Sequence, residues 1–210
     1  MIEIILVRHG ETEWNRREIF RGRADIELSD TGAKQAELLA RYLSQVGIAA
    51  IYSSPLKRAL TTAEAIASYH KIDVKTSVGL IDIDYGKWQG MSQQQVKDTY
   101  RELYAEWLKN PHQTKIPGGE SLAKVRRRAL GVVDRVIGRH EGAVALVSHR
   151  VVNKVLICAL LGLDNSHFWN IRQDVGAITI FSYENSRFVL TRHNETSFLK
   201  ATPTAPLSDF

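Results

Sequence analysis

At 210 residues, 44% hydrophobic and 24% charged, the chain can bury one large core and lacks the composition of a disordered protein. Its single cysteine, Cys158, excludes an intrachain disulfide framework, and the formal net charge of +5 admits an anionic substrate or partner. No run approaches the roughly 18 apolar residues of a membrane span and no basic segment precedes the first apolar run, so a cytoplasmic protein with no membrane partner is expected.

In chain order, Ile2 to Val7 reads as a buried strand of a parallel sheet, with Arg8 and His9 at its carboxyl end before Gly10. LSDTGAKQAELLARYLSQVG predicts a helix capped at Ser29 or Asp30, with an apolar face of Ala33, Ala36, Leu39, Ala40 and Leu43 and an end at Gly47. IAAIYSSP reads as the second strand, LKRALTTAEAIASYH as a helix entered after Pro55, and DVKTSVGL as a third, shorter strand. From Gly86 to Gly119 the sequence is rich in Gln, Trp, Tyr and Lys, which suggests a helical insertion (86–118) over the sheet. The helix SLAKVRRRALGVVDRVIGRH, the strand AVALVSH and the helix VVNKVLICALLGL follow, the last holding Cys158 as a packing residue. GAITIFSY and RFVLTRH, joined by ENS, read as a hairpin. The alternation predicts a three-layer α/β fold: a mostly parallel central sheet with helices on both faces. One domain over 1–200 and a flexible tail over 201–210 are expected. The basic cluster KVRRRAL has no interleaved aromatic residues and reads as a solvated helix face, so nucleic acid is not expected as a partner.

Three predicted strand ends carry unusual residues: Arg8 and His9 after the first, Arg58 in SSPLKRA after the second, and His149 in VSHR after the fourth. Strand ends of an open α/β sheet converge on one crevice. Two arginines and two histidines make a poor metal site, because Arg cannot coordinate and no carboxylate stands among these strand-end residues. They suit an oxyanion, since guanidinium presents forked donors matched to phosphate. A histidine there can be a neutral nucleophile or a hydrogen-bond donor.

LVRHGETEWN, LSDTG, SSPLKRALTTA, DYGKWQG, PGGES and VSHR, in this order, resemble the histidine phosphatase superfamily, the phosphoglycerate mutase-like group, from Ile2 to about Leu199. The resemblance implies that His9 attacks phosphorus and becomes a phosphohistidine. Its N–H on the far ring nitrogen would then need a backbone carbonyl, and Arg8, Arg58 and His149 would surround the phosphoryl oxygens. No metal or cofactor is implied. Asn15 lies at a substrate-contacting position, and Gly22 and Tyr85 are further substrate-binding candidates. LIDIDYGKWQG aligns with a motif whose proton-donating Glu is here Asp82, one methylene shorter; Asp84 is the competing acid. Trp88 reads as packing rather than as lining an entrance, and Trp107 and Trp169 as core or interface. Arg21, where relatives commonly carry Gln or Thr, and Arg150, directly after His149, each read alone as surface charges. Because both flank segments bordering the pocket, a substrate with a second anionic group is also implied.

About thirty residues separate Trp88 from Gly119, fewer than in cofactor-dependent mutases, so hydrolysis is expected rather than mutation. The expected activity is a histidine acid-type phosphatase acting on a small phosphorylated metabolite. A phosphoglycerate mutase or a non-catalytic phosphate-binding module is the alternative, and a homodimer is left open. The layout, with ALLGLDNSHFW, is similar to metal-independent phosphoserine phosphatases. Tyr85, however, stands where those present a histidine, and HNETSFL lacks their C-terminal histidine. The sequence therefore leaves phosphoserine, α-ribazole phosphate, phosphosugars and phosphoglycerate derivatives open.

Overall fold

A computed structural model describes residues 1–200, and the tail expected at 201–210 lies outside the described residues. Among the described residues, six strands form one sheet: β1 (Ile2–Arg8), β2 (Ile48–Ser53), β3 (Val74–Thr76), β4 (Gly142–Ser148), β5 (Ile178–Glu184) and β6 (Arg187–Glu195). Their order is β3-β2-β4-β1-β5-β6. The pairs β3–β2, β2–β4 and β4–β1 are parallel; β5 runs antiparallel to β1 and to β6. The β5–β6 turn places Asn185 and Ser186 at positive φ, as a tight hairpin requires.

The helices are α1 (Glu13–Arg16), α2 (Asp30–Leu43), α3 (Lys57–His70), α4 (Gln93–Thr99), α5 (Arg101–Lys109), α6 (Leu122–Ile137) and α7 (Arg150–Leu160). Successive side chains of β1 serve opposite faces, which is why Ile4 to Val7 are apolar without a break. Ile5 and Val7 pack with Leu39, Leu43, Ala63 and Ile66 of α2 and α3. Ile4 and Leu6 join Val125, Val132 and Val155 of α6 and α7 on the other side. The three-layer reading holds. The segment expected to be inserted over the sheet does contain α4 and α5, packed through Val96, Tyr104 and Trp107 onto the second core.

DVKTSVGL departs from expectation. Only Val74–Thr76 pairs with the sheet, and Val78–Leu80 turns into a 3-10 helix. Packing against α6 explains the break: a Cβ on Gly79 would lie 2.5 Å from Val132 and 2.9 Å from the Arg128 carbonyl oxygen. The chain leaves the sheet there to run beneath α6. That exit carries Asp82 toward the ends of β1, β2 and β4.

Candidate active site

Because β2, β4 and β1 are adjacent and parallel, their carboxyl ends lie side by side. α3 starts just past β2 and places Arg58 in its first turn; α7 starts just past β4, with His149 at its N-cap and Arg150 as its first residue. The positive ends of both helix dipoles thus accompany these basic side chains, an arrangement that favours an anion. The loop after β1 is fixed by close backbone packing: a Cβ on Gly10 would meet the Gly32 carbonyl oxygen at 2.4 Å, and one on Gly32 the Glu11 oxygen at 2.0 Å. The glycines of RHG and DTG are therefore two halves of one contact.

His9 is 1% exposed. Its Nδ1–H donates to the Gly10 carbonyl oxygen at 2.6 Å, and Arg58 Nε donates to its Nε2 at 3.3 Å. This network assigns the proton to Nδ1 and leaves the Nε2 lone pair facing a guanidinium. Arg58 also donates to the carbonyl oxygens of Ala24 (2.7 Å) and Gly22 (2.8 Å) and to Asp82 Oδ2 (3.2 Å). The His149 ring stands edge-on to that of His9, centroids 5.1 Å apart. Its Nε2 hydrogen-bonds Ser54 Oγ at 2.8 Å, and its Nδ1 lies 3.7 Å from Asp82 Oδ2. Arg8 donates to the Gln173 carbonyl oxygen. His9, Arg58, Asp82 and His149 thus form one contiguous cluster.

Burial holds both histidines well below the ordinary histidine range. Positive charge adds to it, from Arg58, Arg8 and Arg21 at His9, and from Arg58, His9, Arg21 and Arg128 at His149. Both rings are accordingly neutral at physiological pH. Arg58 and Arg21 are likewise held below their usual range, first by burial, yet a guanidinium keeps its charge at neutral pH.

The other expected residues fall in two groups. Tyr85 is buried, hydrogen-bonds Arg150, and packs edge-on to Phe20 at 5.0 Å. Arg21 and Arg150, each expected alone at the surface, are 7% and 5% exposed. Both are buried, which corrects the surface reading. Asn15 holds the α1 turn: its Oδ1 accepts from the Thr12 backbone N–H (3.0 Å) and Thr12 Oγ (2.8 Å), leaving Nδ2 to donate elsewhere. Asp84 accepts from the Gly86 N–H and pairs with Arg23 at 3.5 Å. Trp88 is fully buried among Phe20, Tyr104 and Trp107, and Cys158 is buried.

Sequence reasoning missed a supporting shell. Arg128 donates to Glu120 at 3.0 Å and to the carbonyl oxygens of Gly79 (2.8 Å) and Asp82 (3.2 Å); Arg126 donates to the Leu163 carbonyl oxygen at 2.6 Å. Two arginines of KVRRRAL are thus tied into the structure, not solvated. Glu120 lies within PGGES, the one signal that could have pointed there. Among the described residues no cluster of three or more His, Cys, Asp or Glu suited to a metal ion occurs, and no helix is long and apolar enough to cross a membrane.

Known proteins resemble the chain in sequence and in fold. The chain is 41% identical over 200 residues to "Phosphoserine phosphatase 1" of Hydrogenobacter thermophilus, covering 95% of each chain. Among solved structures, YhfR of Bacillus stearothermophilus superposes with a TM-score of 0.91 at 29% identity, covering 95% of this chain and 100% of that one. The phosphoserine phosphatase of Entamoeba histolytica in complex with 3-phosphoglyceric acid gives 0.85 at 31%, with 95% and 100% covered. Residues 4–196 match the family model of the histidine phosphatase superfamily, branch 1, and the chain belongs to that family.

Proposed function

We propose that this chain is a phosphomonoesterase that hydrolyses a small phosphorylated metabolite through a phosphohistidine at His9, without a metal ion. The observation that carries this reading is the tautomer of His9: Nδ1–H is engaged by Gly10, and Nε2 carries the lone pair, which accepts from Arg58 Nε. A nucleophilic imidazole needs that arrangement, and burial among arginines keeps it neutral. Similarity to proteins named phosphoserine phosphatase supports a small phosphorylated substrate.

In the first step Nε2 of His9 forms a bond to phosphorus while the ester P–O bond breaks in line. Arg8, Arg58 and the His149 N–H take the charge on the non-bridging oxygens, and Asp82 gives its proton to the leaving alkoxide. In the second step Asp82, now a carboxylate, takes a proton from water as that water attacks phosphorus. The P–N bond breaks, releasing inorganic phosphate and neutral His9. Asp82 lies between Arg58 Nη2 (3.2 Å) and His149 Nδ1 (3.7 Å), beside the groups assigned to the phosphoryl oxygens, which supports this role. Asp84 is engaged by Gly86 and Arg23, which favours Asp82 over it. The test is steady-state hydrolysis of p-nitrophenyl phosphate in excess EDTA. Turnover is expected in the native protein, with a loss of at least about a thousandfold in kcat for folded His9→Ala. A strict requirement for added metal, or His9→Ala retaining native kcat, would overturn the reading.

A further inference from the structure

The segment SSPLKRA brings a second side chain to the site besides Arg58. Just past β2, the Ser54 backbone N–H donates to the Val147 carbonyl oxygen of β4 at 2.9 Å, and the Ser54 carbonyl accepts from Ser53 Oγ at 2.9 Å. Pro55 has no N–H, so the next backbone donor is that of Leu56. It bonds back to Ser54 Oγ at 3.3 Å, a serine turn that leads the chain into α3. Ser54 is wholly buried, and His149 Nε2 lies 2.8 Å from the same Oγ.

Counting donors and acceptors fixes the protons of this pair. A hydroxyl offers one proton and two lone pairs. Leu56 takes one lone pair, and among the described residues Ser54 Oγ has no partner other than Leu56 and His149. With the ring proton on Nε2, Oγ would accept twice, its own buried proton would have no acceptor, and Nδ1 would turn a bare lone pair toward Asp82 Oδ2, 3.7 Å away. Two buried groups would then go unused, which is costly. With Oγ–H given to Nε2 only one does: the proton is on Nδ1, a buried atom that makes no hydrogen bond among the described residues. That N–H is on the side of the ring facing Asp82, whose other neighbour is Arg58, and the His9 ring stands edge-on beside it.

Resting on the phosphomonoesterase reading, we infer that Ser54 is a positioning residue whose hydroxyl donates to His149 Nε2, which fixes the ring proton on Nδ1 and presents that N–H to a phosphoryl oxygen. A neutral imidazole has one proton to give, so its tautomer decides whether Nδ1 attracts or repels the phosphoryl group. The serine turn is what aims the hydroxyl, because Leu56 holds the lone pair that would otherwise compete for the ring proton. The Nδ1–H acts on a non-bridging oxygen, so its loss should slow every ester alike, whatever the leaving group.

Nitrogen-15 NMR of histidine-labelled protein near neutral pH tests this, with the His149 signals assigned by their loss in His149→Gln. In the native protein Nε2 of His149 should resonate as a pyridine-type nitrogen and Nδ1 as a pyrrole-type one. Ser54→Ala should move His149 toward the Nε2–H form while His9 stays protonated on Nδ1. It should also lower kcat about tenfold or more for p-nitrophenyl phosphate and alkyl phosphates alike, with the dependence on leaving-group pKa unchanged. A pyrrole-type Nε2 in the native protein overturns the inference, and that reading needs no variant of Ser54 to fold. A folded Ser54→Ala in which tautomer and kcat do not change together, or whose loss is confined to poor leaving groups, overturns it as well. Native protein that fails to hydrolyse any of these esters removes the phosphomonoesterase reading, and with it the role of Nδ1–H at a phosphoryl oxygen, whichever tautomer the spectrum shows.

Discussion

At His9, burial and neighbouring positive charge act in the same direction, and the Gly10 carbonyl acts against them by accepting from Nδ1. The result is a ring that stays neutral under acid conditions where a surface histidine would protonate. The acid limb of kcat/KM attributable to this residue should therefore lie below about pH 6.5. Asp82 has two duties that a substitution must separate, since its Oδ2 also pairs with Arg58. Asp82→Asn should slow esters of poor leaving groups about a hundredfold or more and p-nitrophenyl phosphate far less, because only an alkoxide needs the proton to depart. Disturbance of Arg58 alone would slow all esters alike. The readout is the slope of log k against leaving-group pKa with phosphorylation of His9 rate-limiting: it should steepen in Asp82→Asn and stay unchanged in Asp84→Asn. The opposite pattern would name Asp84 as the acid.

At the scale of elements, the site depends on where each strand stops and what pulls the chain away. β1, β2 and β4 end level with one another and hand directly to His9, α3 and α7. That much was legible, because apolar runs ending in Arg8-His9, Arg58 and His149 carry their own register. The segment bearing Asp82 was less so: β3 is cut short by packing of Gly79 under α6, and Arg128 of α6 holds the Gly79 and Asp82 carbonyls. Such a contact joins residues 46 apart, and local composition cannot reveal it. Arg128 is thus a positioning residue for Asp82. Arg128→Met should lower kcat for alkyl phosphates about tenfold with little change in KM, and should steepen the leaving-group slope as Asp82 loosens. A uniform loss across all leaving groups would assign Arg128 a structural role only. Glu120→Ala leaves the half-buried Arg128 guanidinium without its carboxylate and should cost roughly 1–3 kcal/mol of stability by urea unfolding.

For the whole molecule, the site is a store of unfavourable charge in a fold otherwise built from apolar layers. The sequence showed the charges but not their burial, which is why Arg21 and Arg150 read there as surface residues. Stability should carry the mark of this arrangement. His9 and His149 titrate well below 6.5 when folded and near 6.5 when unfolded, so between those values the unfolded chain binds more protons. Their contribution is complete above about pH 6.5 and is lost as pH falls through the folded values. Urea midpoints should drop between about pH 7 and pH 5, and His9→Gln should flatten that drop; an unchanged slope would show that His9 titrates alike in both states. The covalent intermediate is the claim on which the rest depends. Rapid mixing with p-nitrophenyl phosphate, alkaline quenching and peptide mass spectrometry should find one phosphoryl group on the peptide containing His9, stable to base, labile to acid and absent from His9→Ala. A phosphoryl group on any other residue, or pre-steady-state release of p-nitrophenol with none bound to the protein, would contradict it.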